Sequence, residues 1–175
     1  MRTIKTLLIG CLLGIGIQAS AQTGYRVPAN YRLEQKGDYM RYKQDVLDAT
    51  EYLKKTPLGK DTANRRAVST FLALWIMGSP DISVVLTEPV TEPLVAQGEL
   101  FTLYMAAWTS HVLRTGDTTA VTANIAAARA VLAYYKDPIN KVPLNKKLEM
   151  WQRKDGAGVF DNYITELFRQ QNPDK

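Results

Sequence analysis

Apolar residues return at alternating steps of three and four in six separate stretches of this chain, and that spacing constrains the fold more than any other feature. Tyr39, Tyr42, Val46, Ala49 and Leu53 form the first series, and Val68, Phe71, Leu72, Trp75 and Ile76 the second. Leu100, Phe101, Leu103, Tyr104, Met105, Trp108 and Val112 follow, then Val121, Ile125, Ala128, Leu132 and Tyr135. Leu144, Leu148 and Trp151 mark a fifth, and Phe160, Tyr163, Ile164, Leu167 and Phe168 a sixth. An α-helix advances 100° per residue, so each spacing gathers its apolar residues on one side. No stretch pairs with another in the two-residue alternation of a sheet. The expected class is therefore all-α, a single-domain bundle of five to six helices spanning residues 38–171.

Local signals set the boundaries. Asp38 is the expected N-cap of a helix from Tyr39 to Lys55, whose last turn carries Lys54 and Lys55 against the negative dipole end. Thr56-Pro57-Leu58-Gly59 stops it. A second helix runs from Ala63 to Met77, with Gly78 in the left-handed closing position. Ile82–Leu86 is β-branched enough for a strand, but a lone strand leaves its backbone unpaired, so a short helix starting at Ser79-Pro80-Asp81 is expected. Thr-Glu-Pro occurs twice, at Thr87 and Thr91, and the second copy makes the better helix start. The third long helix begins near Glu92 or after Gly98 and ends at Arg114. Its apolar residues wrap most of its circumference, which places it at the centre of the bundle. A fourth, Thr119–Lys136, carries Ala123, Ala126, Ala127, Ala130 and Ala133, small enough for a neighbour to approach closely. Asp155-Gly156-Ala157-Gly158 reads as the turn between the last two helices, and residues 172–175 as a frayed tail.

The first 21 residues read as an export signal. Arg2 and Lys5 precede an uncharged apolar run, Leu7–Ile17, and Ala19 and Ala21 fit the small-residue rule for signal cleavage. A run of about eleven residues is too short for a hydrocarbon core of ~30 Å. The rival reading is lipidation at Cys11 within Leu8-Ile9-Gly10-Cys11. Cleavage after Ala21 removes 21 of the 175 residues and leaves 154, of which residues 22–37 form an arm ahead of the helices. Cys11 is the only cysteine and leaves with the signal, so core packing alone must hold the exported domain together. Arg2 and Lys5 leave too, which takes Lys+Arg from 22 to 20 against 17 acids, a net charge of +3. That balance offers no electrostatic case for nucleic acid. The expected location is periplasmic or extracellular, with no transmembrane segment in the mature chain.

Four residues could carry chemistry. His111 is the only histidine, and helical counting sets it among Leu100, Tyr104, Ala107 and Trp108, the position of a core histidine bonded to one polar neighbour. Glu88, Glu92 and Glu99 form the one acidic cluster. Glycoside hydrolysis needs two carboxylates about 5 to 9.5 Å apart. On a single helix Glu92 and Glu99 share a face on the order of 10 Å apart, and solvated helix-start acids account for them better. With one histidine and no thiol, neither a metal nor a cofactor is expected. The glycine turn at 156–158 lacks the lysine and preceding strand of a phosphate loop. The expected function is a non-catalytic binding or interaction module of the cell envelope or medium, taking a protein or a small apolar ligand. The alternative is a small secreted hydrolase using a pair from Glu88, Glu92 and Glu99.

Overall fold

A computed structural model describes residues 24–171, and among them the fold is entirely helical. The expected signal peptide and tail lie outside the described residues. The helices are α1 (Lys36–Arg41), α2 (Lys43–Lys55), α3 (Thr62–Gly78), α4 (Glu88–Val95), α5 (Gly98–Thr115), α6 (Ala120–Lys136), α7 (Lys146–Gly156) and α8 (Phe160–Gln171), with a 3-10 turn at Pro138–Asn140. Among the described residues eight α-helices replace the expected five or six, because two long segments are broken.

The first break falls at Tyr42, whose φ of −93° and ψ of 12° leave helical geometry for one residue. The bend brings two tyrosines onto α3. Tyr39 packs edge-on against Trp75 with ring centres 6.0 Å apart, and Tyr42 against Phe71 at 6.2 Å. The Trp75 indole also donates to the Tyr39 carbonyl at 3.0 Å. The three-and-four spacing continues across this break, so periodicity does not reveal it. Asp38 is consequently not the N-cap of one long helix. It sits a turn inside α1, where its carboxylate accepts from the Glu34 and Gln35 amides at 3.1 and 3.0 Å. Those backbone bonds, first Gln35 and then Glu34, hold its pKa below the usual carboxylate value.

The second break separates α4 from α5. The first Thr-Glu-Pro copy starts α4, with Thr87 at the N-cap position and Pro89 in the first turn. Thr91, expected as the cap, lies inside the helix and donates its hydroxyl back to the Thr87 carbonyl at 3.2 Å. Glu92 and Glu99 therefore stand on different helices.

Residues 82–86 are neither helix nor strand. The segment is irregular, with Ile82 and Val84 packed against the core, and it pairs with no strand among the described residues. A side chain takes the place of a ladder: Asn124 Nδ2 of α6 donates to the Val85 carbonyl at 3.1 Å. The same amide donates to the Ala120 carbonyl at 2.7 Å, and its Oδ1 accepts from the Tyr104 hydroxyl. Gly78 differs from expectation as well. It ends α3 with an ordinary φ, and its value is room, because a Cβ there would collide with the Tyr39 hydroxyl. The left-handed closing glycine is Gly116, at φ 73°, whose amide donates to the Val112 carbonyl at the end of α5.

Helix α5 is the axis of the bundle, in contact with α2, α3, α4 and α6. Leu100, Leu103, Tyr104, Ala106, Ala107, Trp108 and Val112 are all buried on it. Its broadest contact is with α6, which offers fully buried Ala123, Ala127 and Ala128 to the close approach. The arm before α1 is built into this core rather than trailing from it. Tyr31 packs edge-on against Phe71 with ring centres 5.0 Å apart, and Tyr25, Val27 and Leu33 also rest on the core.

Candidate functional site

The structure divides the four sequence-level candidates among three places. Glu99 opens α5 and pairs with Arg65 of α3, whose Nε and Nη2 both lie 2.7 Å from its Oε2. Arg65 is 3% exposed, the Glu99 side chain 51%. The guanidinium also donates to the Leu53 carbonyl at 3.3 Å and to that of Thr56, closing the C-terminal end of α2. The Tyr134 hydroxyl donates to the same Thr56 carbonyl at 2.8 Å, and the Tyr134 ring lies 5.9 Å from the guanidinium. These contacts join α2, α3, α5 and α6. The arrangement is a strut.

His111 sits near the end of α5 with its side chain 18% exposed. Its Nε2 is buried without a hydrogen bond, and the nearest carboxylate oxygen, Asp117 Oδ2, stands 3.9 Å away. The expected bond to one polar neighbour is thus absent at this nitrogen. Asp117 is engaged locally: it accepts from the Thr119 amide at 2.8 Å, and the Thr119 side chain and backbone, in that order, lower its pKa.

Glu88 and Glu92 do meet, on a groove formed by α4, α7 and α8. Its volume is about 330 Å³. Pro89 and Pro93 join the two acids on the α4 wall, Met150 and Trp151 with Lys147 form the α7 wall, and Tyr163 and Leu167 close it from α8. The local sequence explains the geometry. Asn145 caps α7 by accepting from the Lys147 and Leu148 amides at 3.0 and 3.2 Å, and its Nδ2 donates to the Pro93 carbonyl at 2.9 Å. One side chain therefore starts α7 and pins it to α4. Gln171 Oε1 of α8 accepts from the Glu88 amide at 2.7 Å, satisfying one of the orphan donors that begin any helix. Trp151, 1% exposed, is the floor, steadied by an edge contact to Phe160 at 5.6 Å.

The charges of the groove are unequal in engagement. Lys147 Nζ pairs with Glu92 across the rim. Glu88 forms no ion pair among the described residues. Burial raises the Tyr163 pKa, so its hydroxyl is neutral at physiological pH, and its ring lies 5.4 Å from the Lys154 ammonium. An apolar floor under one uncompensated carboxylate can receive a ligand with an apolar body and a basic end. Among the described residues no group of three histidine, cysteine or acidic side chains gathers as a metal site would require.

Lys147, Met150, Tyr163 and Leu167 were not visible to sequence reasoning as site residues. Periodicity marks Tyr163 and Leu167 as one helix face and leaves Lys147 and Met150 unmarked, and nothing local says that α7 and α8 turn these residues toward α4. Comparison with known protein families, characterised proteins and solved structures yields no match. The residues themselves must carry the functional reading.

Proposed function

We propose that this protein is an exported, non-catalytic binding module whose site is the α4–α7–α8 groove, and that its ligand is a small apolar molecule bearing a basic group. The supporting observation is the pairing of a Trp151–Met150–Leu167 floor with the unpaired Glu88 carboxylate on one rim. Binding pockets of this kind draw affinity from apolar burial and orientation from a few polar groups. Burying apolar area contributes roughly 25 cal/mol per Å², so a short alkyl or aromatic body is enough for measurable affinity.

The co-location of Glu88 and Glu92 favours a second reading, the carboxylate-pair hydrolase. Neighbours four apart on a helix lie about 6 Å apart along its axis, within the range that glycoside cleavage uses. Lys147 counts against it, because a paired carboxylate is a poorer base and nucleophile.

Tryptophan-fluorescence titration with n-alkylamines and the matching n-alkyl carboxylates tests the first reading. Amines should bind more tightly than carboxylates. Glu88→Gln should erase that preference, and Leu167→Arg should weaken both series. Binding that ignores Leu167→Arg would remove the groove as the site. Turnover of a chromogenic glycoside panel, lost in Glu88→Gln, would establish the second reading instead.

A further inference from the structure

A second cavity, separate from the groove, lies where the N-terminal arm crosses the turn between α2 and α3, and it has a volume of about 430 Å³. Arg26 of the arm, Lys55 at the end of α2 and Lys60 of the turn line it, with Tyr52, Pro57 and Asp61. Among the described residues none of the three cations has a carboxylate partner. Elsewhere in the fold Lys36, Lys54, Arg65, Arg114, Arg129, Lys136, Lys147 and Arg169 are ion-paired. Asp61 is the one acid in the wall, and its carboxylate accepts the Tyr52 hydroxyl at 3.0 Å. Asp48 and Glu51 line an adjoining cavity that shares Gly24, Tyr52 and Lys55. Glu51 is already met by Lys54 at 2.9 Å and Arg114 at 3.3 Å, and Asp48 accepts from Gln44 at 3.0 Å.

Three cations against one acid leave two positive charges unbalanced in the cavity wall. We infer that this cavity is a binding site for a dianionic oxyanion of the phosphate-ester class, with Arg26, Lys55 and Lys60 as its ligating side chains. A phosphomonoester carries about −1.5 to −2 charge at neutral pH, which matches the wall. Arg26 supplies a planar fork for two oxygens, and the lysines supply compact ammonium donors that move on flexible stems to the third. The Tyr52 ring and Pro57 give the esterified group an apolar surface to rest on.

The phosphate chemistry has two sources, a soluble ester or the headgroup of an anionic lipid, and the experiment separates them. Calorimetric titration of the full chain with inorganic pyrophosphate and glucose 6-phosphate at low ionic strength tests the soluble source. Co-sedimentation with phosphatidic acid vesicles, using phosphatidylcholine vesicles as the neutral reference, tests the lipid. Arg26→Gln, Lys55→Gln and Lys60→Gln should each weaken binding roughly two- to fivefold, the range of exposed charge pairs, and the triple variant about 10- to 100-fold. Lys146→Gln removes the same charge from an exposed position on α7 outside the cavity, and it should leave binding unchanged. All variants change exposed side chains, and their melting curves should overlay the parent's. No saturable binding of either probe class overturns the inference. So does a loss in Lys146→Gln equal to that in the cavity variants, because binding would then follow net charge alone.

Discussion

Asn124 is the most informative residue to remove. It is fully buried, accepts from the Tyr104 hydroxyl, and holds the Val85 carbonyl at 3.1 Å. Asn124→Ala strands both groups, while the Ala120 carbonyl keeps its own place in the α6 ladder. A buried polar group without a partner costs about 1 to 3 kcal/mol. The Tyr104 hydroxyl is deeply enclosed, and burial alone raises its pKa, so it takes the upper part of that range. Val85 is only half-buried and water offsets part of its loss. The sum is about 3 kcal/mol, a fall in Tm of about 6 to 12 °C for a domain of this size. Urea unfolding followed by far-ultraviolet circular dichroism measures the first figure. Chymotryptic cleavage after Leu86 should become faster, since Asn124 is the clamp on residues 82–86. Adding Tyr104→Phe to Asn124→Ala should recover about 1 kcal/mol by removing the stranded hydroxyl, a non-additive result. A single variant within about 1 kcal/mol of the parent, or strictly additive effects, would refute the clamp.

Arg65→Lys should cost about 2 kcal/mol or more in the denaturant midpoint, because an ammonium cannot serve Glu99 and two carbonyls in the fork geometry of the guanidinium. His111→Leu should leave stability within about 1 kcal/mol by thermal melting, since the Nε2 it deletes has no hydrogen bond to lose. Asp45 has its pKa raised, first by burial and then by the charge of Asp48. The stability it lends is complete below the ordinary carboxylate value of 3.8 and is lost as pH rises through the raised folded value. Asp45→Asn should therefore raise Tm at pH 7 relative to the parent and raise it less, or not at all, at pH 4. Intact-mass analysis of the exported form should find Gln22 at the N-terminus, and a lipidated species beginning at Cys11 would overturn that processing.

Much of the architecture was legible because a bundle writes itself into helical spacing. The long apolar circumference of Leu100–Val112 marked the central helix, and the α6 alanines marked a helix open to close approach by a neighbour. The breaks were not legible. Tyr42 is neither glycine nor proline, and it leaves the helix because Phe71 and Trp75, far along the chain, reward the bend. Ile82–Leu86 follows the same logic, since a partner that makes this irregular segment tolerable is one asparagine about 40 residues downstream. The candidate site was legible in part. Glu88 and Glu92 stood out as acids, but the groove depends on how α7 and α8 face α4, which Asn145 and Gln171 decide through contacts of 52 and 83 residues' separation.

The seating of Tyr31 on Phe71 has a consequence for where the cooperative unit begins. A fragment starting at Lys36 would contain every helix among the described residues, yet it would uncover the rings of Phe71 and Tyr42 and remove the Leu33 carbonyl that accepts the Tyr39 hydroxyl at 3.0 Å. It would also delete the Glu34 and Gln35 amides on which the Asp38 carboxylate closes the first turn of α1. The smallest autonomously folding piece is thus set by aromatic contact upstream of the first helix. A boundary drawn from secondary structure alone would cut through the hydrophobic core.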